Sequence, residues 1–385
     1  MNVLFDHTVF VVQRYGGISR YFSELIPRVA EQDGVDVSVF MGFYLNEYGL
    51  ERQRGKFRDF FGIRRPAVRR THRLAMRAAN ALLPRFARRC RPDVYHMTAY
   101  GAPQYSGPRC GVPGKRVVTI HDLTAEKFPH LFAEEEARGE EKKRLAREAD
   151  GVVCISEATR RDVVELLHIP RDRTVVVHHA NSLHVTPGGK RLVERRYVLF
   201  VGMRAAYKNF DRLVEAVATG RKLPKDLHIA CFGGGDFTAA ERRRFADAGI
   251  SERFHHFGGG DETLATLYAH ADAFVYPSLY EGFGIPLLEA MHYGCPVLAS
   301  KIDCFLEVAS DAVLYFDPAS ADDLADQLAR LLDDSQLRQK LITAGRAREK
   351  IFSWDRCARE TTDFYRSLCT PHPPIPHPPV ALSYP

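Results

Sequence analysis

The sequence lacks the long apolar segments that mark membrane-spanning and secreted proteins. No apolar run approaches the roughly 20 residues that a transmembrane helix requires. The first residues, MNVLFDHTVFVV, have no basic lead and include Asp6 and His7, so they predict a buried strand rather than a signal peptide. The eight cysteines are scattered without a C-x-x-C pair, which argues against a disulfide scaffold and a zinc site. We therefore expect a protein of the reducing cytoplasm.

Acidic residues are nearly absent from one segment. Residues 52–91 contain 13 arginines and Lys56 against one acid, Asp59, which gives this segment a net charge of +13. Because the whole chain carries +6, the remainder carries −7. A basic block in an otherwise acidic chain predicts a local electrostatic role.

Length and pattern predict two domains with parallel sheets. At 385 residues the chain is too long for one ordinary core, and short β-branched runs alternate with amphipathic helical patterns throughout. The predicted strands are NVLFDHTVFV, VDVSVF, DVYHM, RVVTIHD, GVVCIS and TVVVHHA, then YVLFVG, LHIACFGGG, FHHFG, AFVYPS, PVLAS and AVLYFD. A polar linker at 184–196 separates them, so we expect doubly wound α/β domains at 1–185 and 186–352 that face a central cleft. A helix at 353–369 can cross back to the first domain, and the Pro-rich stretch 370–385 predicts an unstructured tail.

Two stretches of the first domain follow predicted strands, where ligands of open parallel sheets bind. Gly16 and Gly17 precede a helix whose free N–H groups can receive an anion, although an ordinary strand-to-helix turn explains them equally well. His121 and Asp122 stand at the end of RVVTI. They indicate either contacts to substrate hydroxyls or a structural pair.

Two cations follow the first predicted strand of the second domain. Arg204 and Lys208 lie on its loop, and Asn209 can cap a helix that begins near Phe210. Cations beside a helix N-terminus favour the binding of a multiply charged anion. The alternative is a pair of surface charges.

The stretch YEGFGIPLLEA places two carboxylates on either side of a glycine-rich turn. Glu281 follows a predicted strand, and Glu289 lies on the helix that the turn begins. A carboxylate can accept hydrogen bonds from adjacent hydroxyls of a ribose or a hexose. We therefore expect both acids to face the cleft and to hold two polyols, since two exposed helix charges would leave Gly282 and Gly284 without a purpose.

Taken together, these residues resemble the retaining nucleotide-sugar glycosyltransferases of family 4, which have the GT-B fold. The similarity runs from GGISRY at 16–21 to FSWDRC at 352–357. It is most specific in YPSLYEGFGIPLLEAMHYGCPVLAS, which contains the E-x7-E motif of the family. FVGMRAAYKNF is similar to its Arg…Lys diphosphate-binding stretch, and HDL to its N-domain histidine. Two stretches depart from the pattern, HHANSLH at 178–184 and CFLEV at 304–308, and neither touches the implied donor site.

The resemblance implies a role for each site residue. Glu281 and His121 would lie beside the donor sugar, and Glu289 would bind the ribose. Arg204 and Lys208 would neutralise the diphosphate. The implied catalytic residues are His121, Arg204, Lys208 and Glu281. The implied donor-binding residues are Gly16, Gly17, Arg204, Lys208, Glu281, Gly282, Phe283, Gly284, Ile285 and Glu289.

The resemblance also implies a reaction. An acceptor hydroxyl would attack the donor sugar with retention of configuration, and the leaving phosphate would take its proton without a metal or other cofactor. GDP-mannose is the favoured donor and a UDP-hexose the next. The acceptor would be a glycan or a lipid-linked sugar of a surface polysaccharide or lipopolysaccharide.

Other functions stay open at this point. Within the same fold, a phosphorylase or an epimerase is an alternative, and so is a non-catalytic sugar-nucleotide-binding protein. A nicotinamide oxidoreductase is disfavoured, because neither domain has a G-x-G-x-x-G loop followed by an acid about 20 residues later.

The basic segment predicts an amphipathic helix. Its apolar positions are Val68, Leu74, Ala75, Ala78, Leu82 and Phe86, and the cations off this stripe include Arg69, Arg70, Arg73 and Arg77. Such a helix suits an anionic membrane, so residues 52–91 would hold the protein peripherally on the inner face of the plasma membrane. A solvated arginine-rich face is the alternative. Nucleic acid is not expected as a partner, because stacking aromatic residues are sparse here.

Overall fold

The computed structural model describes residues 1–66, 71–100, 111–132, 136–204 and 206–370. In this part of the chain, 13 strands form two parallel sheets, which α-helices cover. The predicted Pro-rich tail lies outside the described residues except for Thr370. No helix in the described ranges is both long and apolar enough to cross a membrane.

The first sheet has seven parallel strands in the order β3–β2–β1–β4–β5–β6–β7. Its strands are β1 (Asn2–Phe5), β2 (Asp36–Tyr44), β3 (Asp59–Arg64), β4 (Val94–Met97), β5 (Lys115–Ile120), β6 (Gly151–Cys154) and β7 (Thr174–Val176). The helices between them are α1 (Thr8–Val12), α2 (Gly17–Val29), α3 (His72–Cys90), α4 (Thr124–Lys127), α5 (Glu136–Glu148) and α6 (Glu157–Leu167).

The second sheet has six parallel strands in the order β10–β9–β8–β11–β12–β13. Its strands are β8 (Tyr197–Val201), β9 (His228–Phe232), β10 (Phe254–Phe257), β11 (Ala273–Tyr276), β12 (Val297–Ser300) and β13 (Leu314–Phe316). The helices are α7 (Phe210–Thr219), α8 (Ala239–Asp247), α9 (Asp261–His270), α10 (Ile285–His292), α11 (Asp303–Ala309), α12 (Ala321–Asp333), α13 (Ser335–Glu349) and α14 (Trp354–Cys369). Both sheets thus follow the doubly wound order.

The continuous apolar runs of the sequence arise because the strands are buried on both faces. In β1, Val3 and Phe5 belong to one hydrophobic cluster, and Leu4 belongs to another on the opposite face. Successive side chains of a strand point to opposite faces, so a strand covered on both sides needs an apolar residue at every position.

The first strand is shorter than the sequence predicts. The run at 2–11 was expected to be one strand, but β1 ends at Phe5 and α1 follows. The Asp6 carboxylate ends the strand, because it accepts hydrogen bonds from the N–H groups of Thr8 and Thr98, each at 3.1 Å. Such side-chain bonds to the backbone compete with the strand ladder. Gly16 and Gly17 therefore follow a helix and not the first strand.

The edge strand β3 has no counterpart among the predicted strands. All its residues are half-buried or exposed, and it pairs with β2 alone. An edge strand surrounded by arginines carries a weak hydrophobic pattern, which explains why the sequence does not reveal it.

The basic helix α3 buries a stripe that only partly matches the one predicted, because Ala75 is buried and Leu82 and Phe86 pack against the core. The predicted apolar residue Leu74 is 70% exposed, whereas Met76, Ala79 and Leu83 are buried. The apolar face of α3 packs against the sheet, and Pro84 lies within the helix instead of interrupting it. Val68, Arg69 and Arg70 of the predicted stripe lie outside the described residues.

The last helix, α14, packs against the first sheet's helices although it follows the second sheet. Asp355 Oδ1 lies 3.1 Å from Nε of Arg28 on α2, and the hydroxyl of Tyr365 bonds to the ring of His96. Residues 177–196, which form neither helix nor strand, connect the two sheets.

Candidate active site

The carboxyl edges of the two sheets face each other. The loop after β11 contacts the loop after β5, where the N–H of Leu123 donates to the hydroxyl of Tyr280 at 3.1 Å. At a second point, Arg20 of α2 lies 2.8 Å from both carboxylate oxygens of Asp261 on α9. The loops that follow the strands of both sheets therefore form one site.

Lys208 and Glu281 meet at this edge. The strands β8 and β11 are neighbours, so the loops that follow them lie side by side. Lys208 Nζ lies 2.6 Å from Glu281 Oε1, which also accepts the hydroxyl of Ser278 at 2.7 Å. Burial is the largest single effect and would lower the pKa of Lys208, but the charges of Glu281 and Tyr207 and the hydrogen bond to Glu281 together outweigh it, and the pKa is raised. The ammonium group stays charged and keeps further N–H donors for an anion.

Arg204 lies in a different environment from Lys208. Its side chain is 4% exposed, and its Nε lies 2.6 Å from Glu241 Oε1. Its other nitrogens donate to the carbonyl oxygens of a glycine loop after β9, at Gly233 (3.2 Å), Gly235 (3.0 Å) and Asp236 (2.9 Å). Arg204 is therefore bonded to this loop and to Glu241, and its expected contact with a diphosphate stays a prediction.

Glu289 is a buried carboxyl group on α10. It is 7% exposed on α10, and its Oε2 accepts the hydroxyl of Tyr268 at 3.0 Å. Burial raises the pKa of this carboxyl group to about 7, against smaller lowering effects of Tyr268 and Arg20. In this structure Tyr268 of α9 covers Glu289, and its expected contact with a ribose stays a prediction.

The turn before α10 adopts the geometry that its glycines permit. Gly284 has φ +90°, a conformation that side chains rarely adopt, and Pro286 stands in the first turn as predicted. Ile285 is partly buried against the core. The ring of Phe283 packs between His179 at 5.4 Å and Phe352 at 5.7 Å, and the expected contact of Phe283 with the donor stays a prediction. It lies in an aromatic cluster between the two halves.

His121 faces the Glu281 loop from the first sheet. A Cβ atom on Gly282 would lie 1.8 Å from the carbonyl oxygen of His121, so only glycine permits this approach. The imidazole is buried beside the rings of Tyr21 and His179, at 5.0 and 5.5 Å, and burial lowers its pKa to about 4. The imidazole is therefore neutral at pH 7. It can donate a hydrogen bond to a hydroxyl group or accept one from it.

Gly16 and Gly17 begin α2. A Cβ atom on Gly17 would meet nothing within 4 Å. The N–H of Gly16 donates to the Tyr48 hydroxyl at 3.2 Å, and the N–H of Ser19 donates to Gln13 Oε1 at 3.1 Å. Two N–H groups at the start of α2 are therefore already bonded to side chains of the protein.

Asn209 precedes α7 as predicted, but it does not cap the helix with its side chain. It adopts φ +55°, and its Nδ2 donates to the carbonyl oxygen of Pro318 at 2.9 Å. Asn209 therefore occupies the predicted cap position, but its side chain does not bond to the helix N–H groups. The amide instead bonds to the loop that contains Pro318.

The sequence predictions missed several residues that build the site. Ser278 supports Glu281, and Glu241 compensates the charge of Arg204. The sequence pattern could have predicted the position of Glu241 at a helix start, since Thr238 and Glu241 form a capping box at the start of α8. The described residues include no group of three His, Cys, Asp or Glu side chains that could hold a metal ion.

Two parallel sheets whose carboxyl edges enclose a Lys–Glu pair have the architecture of GT-B glycosyltransferases. Residues 15–181 match the family model described as Glycosyltransferase Family 4, and residues 188–348 match Glycosyl transferases group 1. The chain therefore belongs to the family 4 glycosyltransferases.

The relatives agree with this assignment. The chain is 28% identical over 377 residues to O-antigen chain mannosyltransferase B of Escherichia coli, which covers 91% of this chain and 96% of the relative. Sucrose-phosphate synthase from Thermosynechococcus elongatus has a similar fold, with a TM-score of 0.74, 22% identity, and 95% and 98% of the two chains covered. HepE of Anabaena, solved with UDP and glucose, gives a TM-score of 0.68 at 16% identity, with 95% and 100% covered. These two structures confirm the GT-B fold.

Proposed function

We propose that the protein is a retaining mannosyltransferase of surface polysaccharide biosynthesis, with GDP-mannose as donor and a glycan or lipid-linked sugar as acceptor. The observation that carries this proposal is the Lys208–Glu281 pair, which lies at the carboxyl edge of the second sheet. His121 approaches the same loop from the first sheet. The likeness to the O-antigen mannosyltransferase supports mannose, and the UDP in HepE makes a UDP-hexose the second choice.

In the proposed reaction, the bond between the anomeric carbon and the diphosphate breaks, and the acceptor oxygen bonds to that carbon on the same face. The acceptor proton passes to the leaving phosphate. Negative charge then grows on the diphosphate, where Lys208 and the N–H groups at the start of α10 stabilise it without requiring a metal. Glu281 and neutral His121 hold sugar hydroxyls, and Arg204 shapes the glycine loop.

Substitution of Lys208 tests the diphosphate site. We expect Lys208→Ala to weaken GDP binding about tenfold to a hundredfold, since a charge-assisted hydrogen bond contributes about 1.5–3 kcal/mol. Lys222→Ala, which removes an exposed lysine paired with Asp326, should leave GDP binding within about twofold. Calorimetric titration with GDP and UDP measures both effects and also identifies the preferred base. Equal GDP affinity in the Lys208→Ala variant and the wild type would contradict the assignment.

Product analysis tests the reaction itself. Incubation of the protein with GDP-mannose and a mannoside acceptor should release GDP and yield an α-linked product, with much less GDP released when the acceptor is omitted. A sugar phosphate formed with inorganic phosphate would instead indicate a phosphorylase, and GDP binding without any turnover would indicate a non-catalytic binding protein.

We also propose that α3 attaches the protein to an anionic membrane by charge. The apolar face of α3 is buried against the sheet, so that face cannot insert into lipid. Its outer face presents Leu74, Arg77, Arg85 and Arg88, all exposed. Each cation near an anionic surface contributes about 1 kcal/mol at low salt.

Vesicle binding tests the membrane proposal. The double variant Arg77→Glu/Arg85→Glu should bind vesicles of phosphatidylglycerol at low salt at least about tenfold more weakly than the wild type. Lys340→Glu/Lys350→Glu changes the net charge equally in the second half and serves as the matched control. The proposal is wrong if both double variants lose binding to the same degree, or if wild-type protein binds neutral vesicles equally well.

A further inference from the structure

The residue before Glu281 is held by the opposite half of the molecule. Tyr280 follows β11 of the second sheet, yet its hydroxyl donates to Asp162 Oδ2 on α6 at 2.8 Å. The same hydroxyl accepts the N–H of Leu123 at 3.1 Å, two residues after His121. One phenol oxygen therefore joins the Glu281 loop to the strand end that carries His121.

The residue after Glu281 is held in the same way. The carbonyl oxygen of Gly282 accepts the hydroxyl of Ser156 at 2.7 Å and that of Thr159 at 3.0 Å, both at the start of α6. Glu281 thus lies between two residues that the first half fixes. Its own carboxylate bonds to groups of the second half, Lys208 and Ser278.

The Tyr280–Asp162 hydrogen bond is buried, and the charge of Lys127 beside Asp162 stabilises it. Asp162 and Tyr280 are both buried, and burial raises the pKa of Tyr280, so its hydroxyl keeps the proton that it donates. Lys127 Nζ lies 2.7 Å from the other oxygen of Asp162 and 4.9 Å from the centre of the Tyr280 ring. Hydrogen bonds to a charged acceptor in a low dielectric are strong and directional.

We propose that Tyr280 and Asp162 are positioning residues of the transfer reaction, whose hydrogen bond sets the separation of His121 and Glu281 when the two halves close. This inference rests on the proposed function. Glu281 and His121 come from different sheets, so only contacts between the halves can fix their distance. A displacement of about 1 Å at a reacting centre can lower a rate a hundredfold.

The variant Tyr280→Phe removes the hydroxyl and keeps the ring. We expect kcat for GDP release from GDP-mannose to fall at least about tenfold. The KM for GDP-mannose and the Kd of GDP should stay within about twofold, because Lys208 is unaffected. Tyr315→Phe is the matched control, since the Tyr315 hydroxyl bonds to Phe305 and Ser310 within the second half. It should keep wild-type kcat.

A pair of Asp162 variants tests the same contact from the other side and covers the case that Tyr280→Phe does not fold. Asp162→Asn keeps an acceptor for Tyr280 and should retain most of kcat, whereas Asp162→Leu should lose it. The proposal falls if Tyr280→Phe and Asp162→Leu both keep kcat within twofold, or if Asn is as damaging as Leu.

Small-angle X-ray scattering provides a readout that needs no donor. Tyr280→Phe and Asp162→Leu should have larger radii of gyration than the wild type and Tyr315→Phe. An unchanged radius in both variants would overturn the proposal even if activity were absent. Larger radii in a protein that never uses GDP-mannose would instead refute the proposed function and leave the positioning contact intact.

Discussion

At the residue scale, Glu289 shows how burial changes the chemistry of a side chain that the sequence identifies. The E-x7-E spacing points to this residue as a ribose-binding carboxylate. The structure covers it with Tyr268 and raises the pKa of the carboxyl group to about 7, from an ordinary value of 4.5. At neutral pH the group is therefore close to half-ionised in the protein without nucleotide.

This pKa predicts a pH-dependent stability. Because the folded pKa lies above the unfolded value, the folded protein binds the extra proton, and stability falls as the pH rises from about 4.5 to 7. The loss is at most about 3.5 kcal/mol, at roughly 1.4 kcal/mol per pKa unit. Glu289→Gln removes this contribution, so its stability relative to the wild type should be higher at pH 8 than at pH 5.

Urea unfolding of both proteins at pH 5 and pH 8 measures this difference. Glu215→Gln, which alters an exposed carboxylate paired with Arg212, is the control and should show the same difference at both pH values. If Glu289→Gln behaves like this control, the carboxyl group does not titrate in the predicted window.

At the element scale, the hydrophobic pattern of the sequence predicts the buried strands but fails at the edge of the first sheet. The 12 predicted strands all overlap an observed strand, because buried parallel strands need continuous apolar residues. The prediction fails at β3, which lies at an edge, and at α1, where Asp6 diverts an apolar run into a helix. It also assigns Leu74 to the buried stripe of α3, although this side chain is exposed.

The helix α14 predicts a large effect of one substitution. Trp354 is buried against Tyr21 and His179, and its Nε1 donates to the carbonyl oxygen of Asn181 at 3.0 Å. Removal of a buried tryptophan leaves a cavity, so we expect Trp354→Ala to lower the free energy of unfolding by about 3–5 kcal/mol. Urea denaturation followed by circular dichroism measures the change.

An exposed residue of the same helix supplies the control. Arg359→Ala should change stability by no more than about 0.5 kcal/mol. Similar losses in Arg359→Ala and Trp354→Ala would show that α14 does not depend on its contact with the first half.

At the scale of the whole molecule, the two halves share one hydrophobic cluster. It extends from Val3 of the first sheet through Tyr21, Phe283 and Trp354 to Phe305 of the second half. The hydrogen bonds of Tyr280 and Gly282 lie beside this cluster. The contact between the halves therefore buries apolar surface and ties the Glu281 loop to the first half at the same place.

The sequence by itself determined the two parallel-sheet halves and the residue types of the site. Periodicity and glycine-rich turns depend on local physics, so the positions of Lys208, Glu281 and His121 after strand ends could be predicted without the structure. Only the tertiary structure decided which groups meet, because partners distant in the chain are chosen by packing. It paired Arg204 with Glu241 and anchored the Glu281 loop to the opposite half, since a buried charge or carbonyl group must find a partner wherever the fold brings one.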